Sequence, residues 1–203
     1  MKDEIKAVSI ELLLRHGYQG FRFRDVAEQL GTTRANIHHH YGNKANLCEE
    51  VIVDYVEQTL VNWEANWLSN ATFADKIEGM MESNRQRYLR CNPTATTANP
   101  WSLIGRMRAE QDLIGERARH SLVQFGVTLD NLVKAGIDKA VAAGELTADI
   151  PRDDIALQLV AIANSAGPIT QDGGNFDRLE QLYRSFSRIV HHAYGSKAKT
   201  KSA

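Results

Sequence analysis

Between Thr33 and Lys44 the sequence gathers side chains suited to nucleic acid: Arg34, Asn36, His38, His39 and Lys44, with the small Ala35 among them. An asparagine can pair with adenine through two hydrogen bonds, and a histidine can meet guanine or a phosphate. Ala35 has no bulk to hold a helix away from a groove. Lys44 opens a following helix, where its charge and free backbone N–H groups can hold a phosphate. Ile37 and Tyr41 lie one turn apart and face the core, so Ala35, Asn36 and His39 share the opposite face, flanked by Arg34 and His38. The run His38-His39-His40 is not read as a metal site, because consecutive helical residues point about 100° apart and do not converge on one ion. His191-His192 meets the same objection. With no nucleophile–base pair and no phosphate-cradling glycine loop, no catalytic site and no cofactor are expected.

Reading side chains must be held by a scaffold. Ala27, Gly31 and Ile37 supply one. A small residue lets the second of two helices cross the first, a glycine allows a left-handed turn, and an aliphatic residue locks the crossing angle. The flanking elements agree. Ile5, Val8, Leu12 and Leu13 form a first helical stripe that Gly17 should stop. A second helix is predicted over about 24–30 and a third over about 34–41, with Thr33 as its cap. A long helix begins near Lys44. Thr72, with Asp75 three residues on, opens the next, which should end before Pro93. Asn99-Pro100 reads as the start of a short helix to about residue 109. Further helices are expected over about 112–143, from Pro151 to about Ala166, and over about 175–194, with Gly167-Pro168 and Gly173-Gly174 bracketing a turn. No strand is expected. The fold class is all-α, with about nine helices.

Composition excludes more than it assigns. The chain of 203 residues is 43% hydrophobic and 24% charged, with four prolines, which fits a globular helical protein. Its net charge is -1, yet residues 1–48 carry seven lysines and arginines against five acids, so a mildly basic head joins an acidic body. No apolar run approaches a membrane span and the start has no secretory signal core, so a cytoplasmic location is expected. Cys48 and Cys91 do not make a disulfide framework.

Residues about 5–52 resemble the DNA-binding domain of the TetR/AcrR family of regulators. The matching stretches are Gly17-Tyr18, Phe23-Arg24-Asp25-Val26-Ala27, Gly31-Thr32-Thr33, and Ile37 through Tyr41-Gly42-Asn43-Lys44-Ala45-Asn46-Leu47. Ala143-Gly144-Glu145-Leu146 before the last helices is also similar, less specifically. The resemblance implies a helix-turn-helix domain at residues 1–48, a helical ligand-binding and dimerisation domain at 49–195, a disordered basic tail at 196–203, and a two-fold dimer. It places Thr33, Arg34, Asn36, His38, His39 and Lys44 at positions that meet DNA, with Ala35 beside them. Two residues depart from the family. Arg22 stands where a Ser or Thr usually caps the second helix, and can itself contact a phosphate. His38 stands where a Tyr often touches the backbone, which implies pH-dependent binding.

The same resemblance implies a small apolar or amphipathic effector among the central helices, where Trp63, Trp67, Met80, Tyr88, Trp101, Met107, His120 and Phe125 are the candidates. Aromatics and methionines at helical spacing also build ordinary core. Leu157, Ala161, Leu182 and Phe186 on the last helices are the candidate dimer contacts. The expected partners are therefore double-stranded DNA bearing an inverted repeat, a small-molecule effector and a second copy of the chain. The expected activity is repression relieved by the effector. A constitutive DNA-binding dimer and a helical enzyme are the alternatives.

Overall fold

The computed structural model describes residues 1–196; residues 197–203, which hold most of the expected basic tail, lie outside the described residues. Ten α-helices and one 3-10 turn account for the described chain, and one isolated bridge, Leu146 to Gly195, is the extent of β pairing there.

The first three helices form a small unit. α1 (Lys2–Gly20) buries Ile5, Ser9, Leu12, Leu13 and Leu14. The regular helix breaks at Gly17, where the sequence predicts its stop: φ is 66° and ψ -178°, and a short helical stretch over residues 18–20 follows across the kink. α2 (Phe23–Gln29) starts at Arg22, whose side chain makes no capping bond. α3 (Arg34–Tyr41) is capped by Thr33, whose Oγ1 accepts the Asn36 N–H at 3.2 Å. Between α2 and α3, Gly31 has a φ of 60°, the left-handed turn that the crossing requires. Ile5, Val26, Ile37 and Leu47 are fully buried where these helices meet α4.

α4 (Lys44–Trp67) runs unbroken from the small unit into the body, so the two share a helix. α5 (Phe73–Cys91) is capped by Thr72, and α6 (Leu103–Ala109) by Ser102 rather than by Asn99. Asn99 is held elsewhere: its side chain donates to the Cys91 carbonyl, and its backbone N–H donates to Asn92 Oδ1, which closes the loop after α5. After the 3-10 turn Gln111–Leu113 come α7 (Glu116–Ala142), α8 (Arg152–Asn164), α9 (Ala166–Gly173) and α10 (Asp177–Tyr194).

The helix α9 replaces the turn expected around Gly167-Pro168. Pro168 falls in the first turn of α9, where a missing N–H costs no helical hydrogen bond, and Gly174 at φ 70° ends the helix. The body is built on the packing of α4 against α7, with α5, α8 and α10 around them. At one crossing Gly136 of α7 leaves the space that the Trp67 ring occupies; a Cβ there would sit 2.6 Å from Trp67 Cε3. No described helix is long and apolar enough to cross a membrane.

Candidate nucleic-acid interface and effector cavity

The exposed face of α3 brings the expected side chains together. Thr33, Arg34, Ala35, His38 and His39 are exposed, and Asn36 is half-buried. The Asn36 amide donates one N–H to Thr32 Oγ1 at 3.0 Å, which orients it and leaves its second N–H and its oxygen for a base edge. The His38 ring meets Phe23 edge-on at 5.2 Å between centroids, so it leans toward α2 rather than forward. Arg22 is exposed at the start of α2, on the flank. Lys44 is partly drawn back: its ammonium lies 4.5 Å over the Tyr18 ring and donates to the Gln19 carbonyl at 3.3 Å. No group of three or more metal-type ligands is found among the described residues.

Besides the shared α4, this unit is tied to the body through α6. Glu110, just after α6, accepts the Tyr18 backbone N–H at 2.6 Å, and its other carboxylate oxygen is 3.0 Å from Arg106 Nε. Tyr18 in turn supports Lys44. The carboxylate seats in the space left by Gly17, where a Cβ would fall on Glu110 Oε1 and Arg106 Nη2. Gly17→Ala should therefore lower the unfolding free energy by roughly 1–3 kcal/mol, because φ 66° with ψ -178° is a conformation that essentially only glycine adopts. Thermal unfolding measures it; an unchanged melting temperature would mean that the kink relaxes freely.

Along one face α6 borders a cavity. A narrow inner chamber is lined by Tyr55, Trp63, Arg87, Trp101, Arg108 and Phe125, with Asn84, Ser102, Ile104 and Gly105 completing the wall on that side. Its free space is about 20 Å³, room for about one water. Tyr55, Arg87 and Trp101 also line an outer cleft of about 700 Å³ between α1, α5 and the loop before α6.

The chamber thus contains three of the eight residues expected to meet an effector: Trp63, Trp101 and Phe125. The others sit elsewhere. Trp67, Met80 and Met107 are fully buried, and Trp67 packs on Gly136 and Phe73. Tyr88 stands behind Trp101, edge-on at 6.4 Å, and donates its hydroxyl to the Thr97 carbonyl. His120 is exposed on α7.

Sequence reasoning missed Arg87 and Arg108. The signal was present for Arg87, which lies three residues after the buried Asn84 and seven after Met80, on the apolar face of α5. Arg108 carries no such signal, because α6 is too short to show a periodicity.

Of the expected dimer contacts, Leu157 and Ala161 are exposed and Leu182 is half-buried, while Phe186 is buried within the single chain. Ile189, which was not singled out, is 67% exposed on α10, close to the 66% of Leu157 on α8. Two large aliphatic side chains so open on neighbouring helices are costly unless another surface covers them. Cys48 is buried, and burial pushes its thiol up to about 12; burial also raises Cys91. Neither is an activated thiolate.

Residues 5–51 match the family described as "Bacterial regulatory proteins, tetR family". Those residues form a TetR-type DNA-binding domain. The fold of the chain is that of TetR regulators throughout. A TetR regulatory protein from Rhodobacter sphaeroides superposes with a TM-score of 0.75 at 18% identity, covering 92% of this chain and 96% of that one. A TetR-family regulator from Agrobacterium tumefaciens reaches 0.79 at 18% identity, over 93% and 96%. A transcriptional regulator from Saccharomonospora viridis, solved in complex with choline, reaches 0.74 at 18% identity, over 97% and 98%. No curated protein matches the sequence. Within the matched domain, the α3 face is the part whose chemistry suits a DNA groove.

Proposed function

We propose that this chain is a TetR-family regulator, a dimeric repressor that binds an inverted-repeat operator and leaves it when a small organic molecule enters the body. Arg34, Ala35, Asn36 and His39 read base edges, while Arg22, Thr33, His38 and Lys44 hold phosphates. The observation that carries the reading is the position of α6. One face of it lines the inner chamber through Ile104, Gly105 and Arg108, and the residue just after it, Glu110, holds the α1 kink next to Tyr18 and Lys44.

An effector larger than one water must part Trp101 and α6 from their neighbours. That movement displaces Glu110 and tilts the reading unit. Two half-site centres lie about 34–36 Å apart on DNA, so a shift of a few ångströms misaligns one of them. Release follows only if the effector prefers the misaligned state, because a ligand with equal affinity for both states shifts nothing. The choline held by the Saccharomonospora regulator supports a small organic molecule as the kind of effector.

Selection of random and genomic DNA by the purified protein, followed by sequencing, tests the reading. An inverted repeat is expected. Asn36→Ala should then change base preference at one position of each half-site by roughly 1–3 kcal/mol, while Lys44→Ala should weaken all sequences alike. Recovery of DNA without a motif, or variants that bind as the parent does, would show that α3 is not the reading helix.

A further inference from the structure

The inner chamber is lined by two guanidinium groups, and no aspartate or glutamate lines it. Arg87 makes no ion pair or hydrogen bond with any described residue; it lies 6.0 Å over the Tyr55 ring and 5.8 Å over Trp63. Arg85, two residues earlier, pairs with Glu82 and Glu180 instead, so acids are available to α5 but not on this face. Arg108 stacks 5.5 Å over Phe125 and donates to two neutral oxygens, Asn164 Oδ1 at 2.5 Å and the Leu122 carbonyl at 3.0 Å. Burial pushes both guanidinium pKa values down, chiefly by removing water that no counter-charge replaces. Trp63 lines the same chamber. Trp63 is 3% exposed, and its Nε1 has no partner.

We propose that the effector is an organic carboxylate with a flat apolar body, its carboxylate taken by Arg87, Arg108 and the Trp63 N–H. This rests on the effector-responsive reading above and narrows it. A carboxylate accepts several hydrogen bonds and replaces the missing counter-charge, and charge-assisted bonds of this kind are the strong ones. The rings of Tyr55, Trp101 and Phe125 suit a flat body. A cation would face two guanidiniums. A neutral molecule would leave both without a counter-charge.

The approach to the chamber has the same sign. The outer cleft shares Tyr55, Arg87 and Trp101 with the chamber, and it adds Arg15 and Arg90 against the single acid Glu11. In the adjoining groove Asp54 is already paired with Lys6 at 2.5 Å, and Asp3 lies at the rim.

Calorimetry on the full chain with benzoate, benzamide and choline tests the charge, with operator affinity measured beside it. Benzoate should bind about tenfold or more tightly than the other two, the loss expected for one charged hydrogen bond. Arg87→Gln should remove that preference with little change in the melting temperature of the free protein, because Arg87 has no ion-pair or hydrogen-bond partner to lose, only its contacts over Tyr55 and Trp63. Equal binding of benzamide, tighter binding of choline, binding of none of the three, or an Arg87→Gln variant that keeps its benzoate affinity would overturn the proposal. If benzamide or choline binds and releases the operator, the effector-responsive reading stands and the carboxylate falls. If benzoate binds through Arg87 and leaves operator affinity unchanged, the carboxylate site stands and the regulatory reading falls.

Discussion

In the dimer proposed above, replacing Leu157 and Ile189 together by glutamate should yield a monomer and reduce operator affinity roughly a thousandfold, to near the non-specific level. Both side chains project from the body, 66% and 67% exposed, on the neighbouring helices α8 and α10. Ala161 on the same side lets a partner helix approach closely, and Leu182 adds a half-buried aliphatic surface. In the proposed dimer, self-pairing of this face across a two-fold axis would bury each copy's leucine and isoleucine against the partner. Glutamates at these positions would place four carboxylates in that interface, which repel and lose water.

A monomer keeps one reading helix and so forfeits the second half-site. Because neither side chain packs inside its own chain, helicity and the unfolding transition of the monomer should persist, apart from what dimerisation itself adds. Sedimentation and operator titration measure the two effects together. A variant that stays dimeric would place the interface on another face. Phe186 is unsuited to the test, since it is buried in the single chain and its loss would unfold the body.

The second large effect concerns the core. Trp67→Ala should cost about 3–5 kcal/mol of unfolding free energy, the range for deleting a buried large aromatic. Trp67 is fully buried at the crossing of α4 and α7, lies against Gly136, and has its ring 5.9 Å from that of Phe73. α4 and α7 form the body's most extensive helix packing, so a cavity there opens where the structure has least freedom to collapse.

Trp67→Phe should cost much less, because the Trp67 Nε1 has no hydrogen-bond partner to lose. Chemical denaturation of the two variants separates volume from polarity. If alanine were tolerated within about 1 kcal/mol, Trp67 would be lining usable space instead of filling the core. The contrast with Trp63 is direct. Trp63 is one turn earlier on α4 and borders the chamber, whereas Trp67 borders Gly136.

The sequence by itself determined the helix-turn-helix. Ala27, Gly31 and Ile37 are local, their spacing is set by one turn and one crossing, and each residue type has a single physical reason to stand where it does. The caps at Thr33 and Thr72 and the all-helical class were legible for the same reason: a cap or an apolar stripe depends on residues three or four apart.

The extra helix α9 was not legible. Gly167-Pro168 is a turn signal unless the proline falls in a first helical turn, and that depends on where α8 ends. The cavity was decided by tertiary structure alone. Trp63 and Trp67 carry the same side chain one turn apart on α4, and only the glycine opposite one of them makes it core. Arg87 and Arg108 are distant in sequence and look like surface charges. Only the packing of α4, α5, α6 and α7 puts them in one chamber without a carboxylate, because side chains meet there across helices that no local periodicity relates.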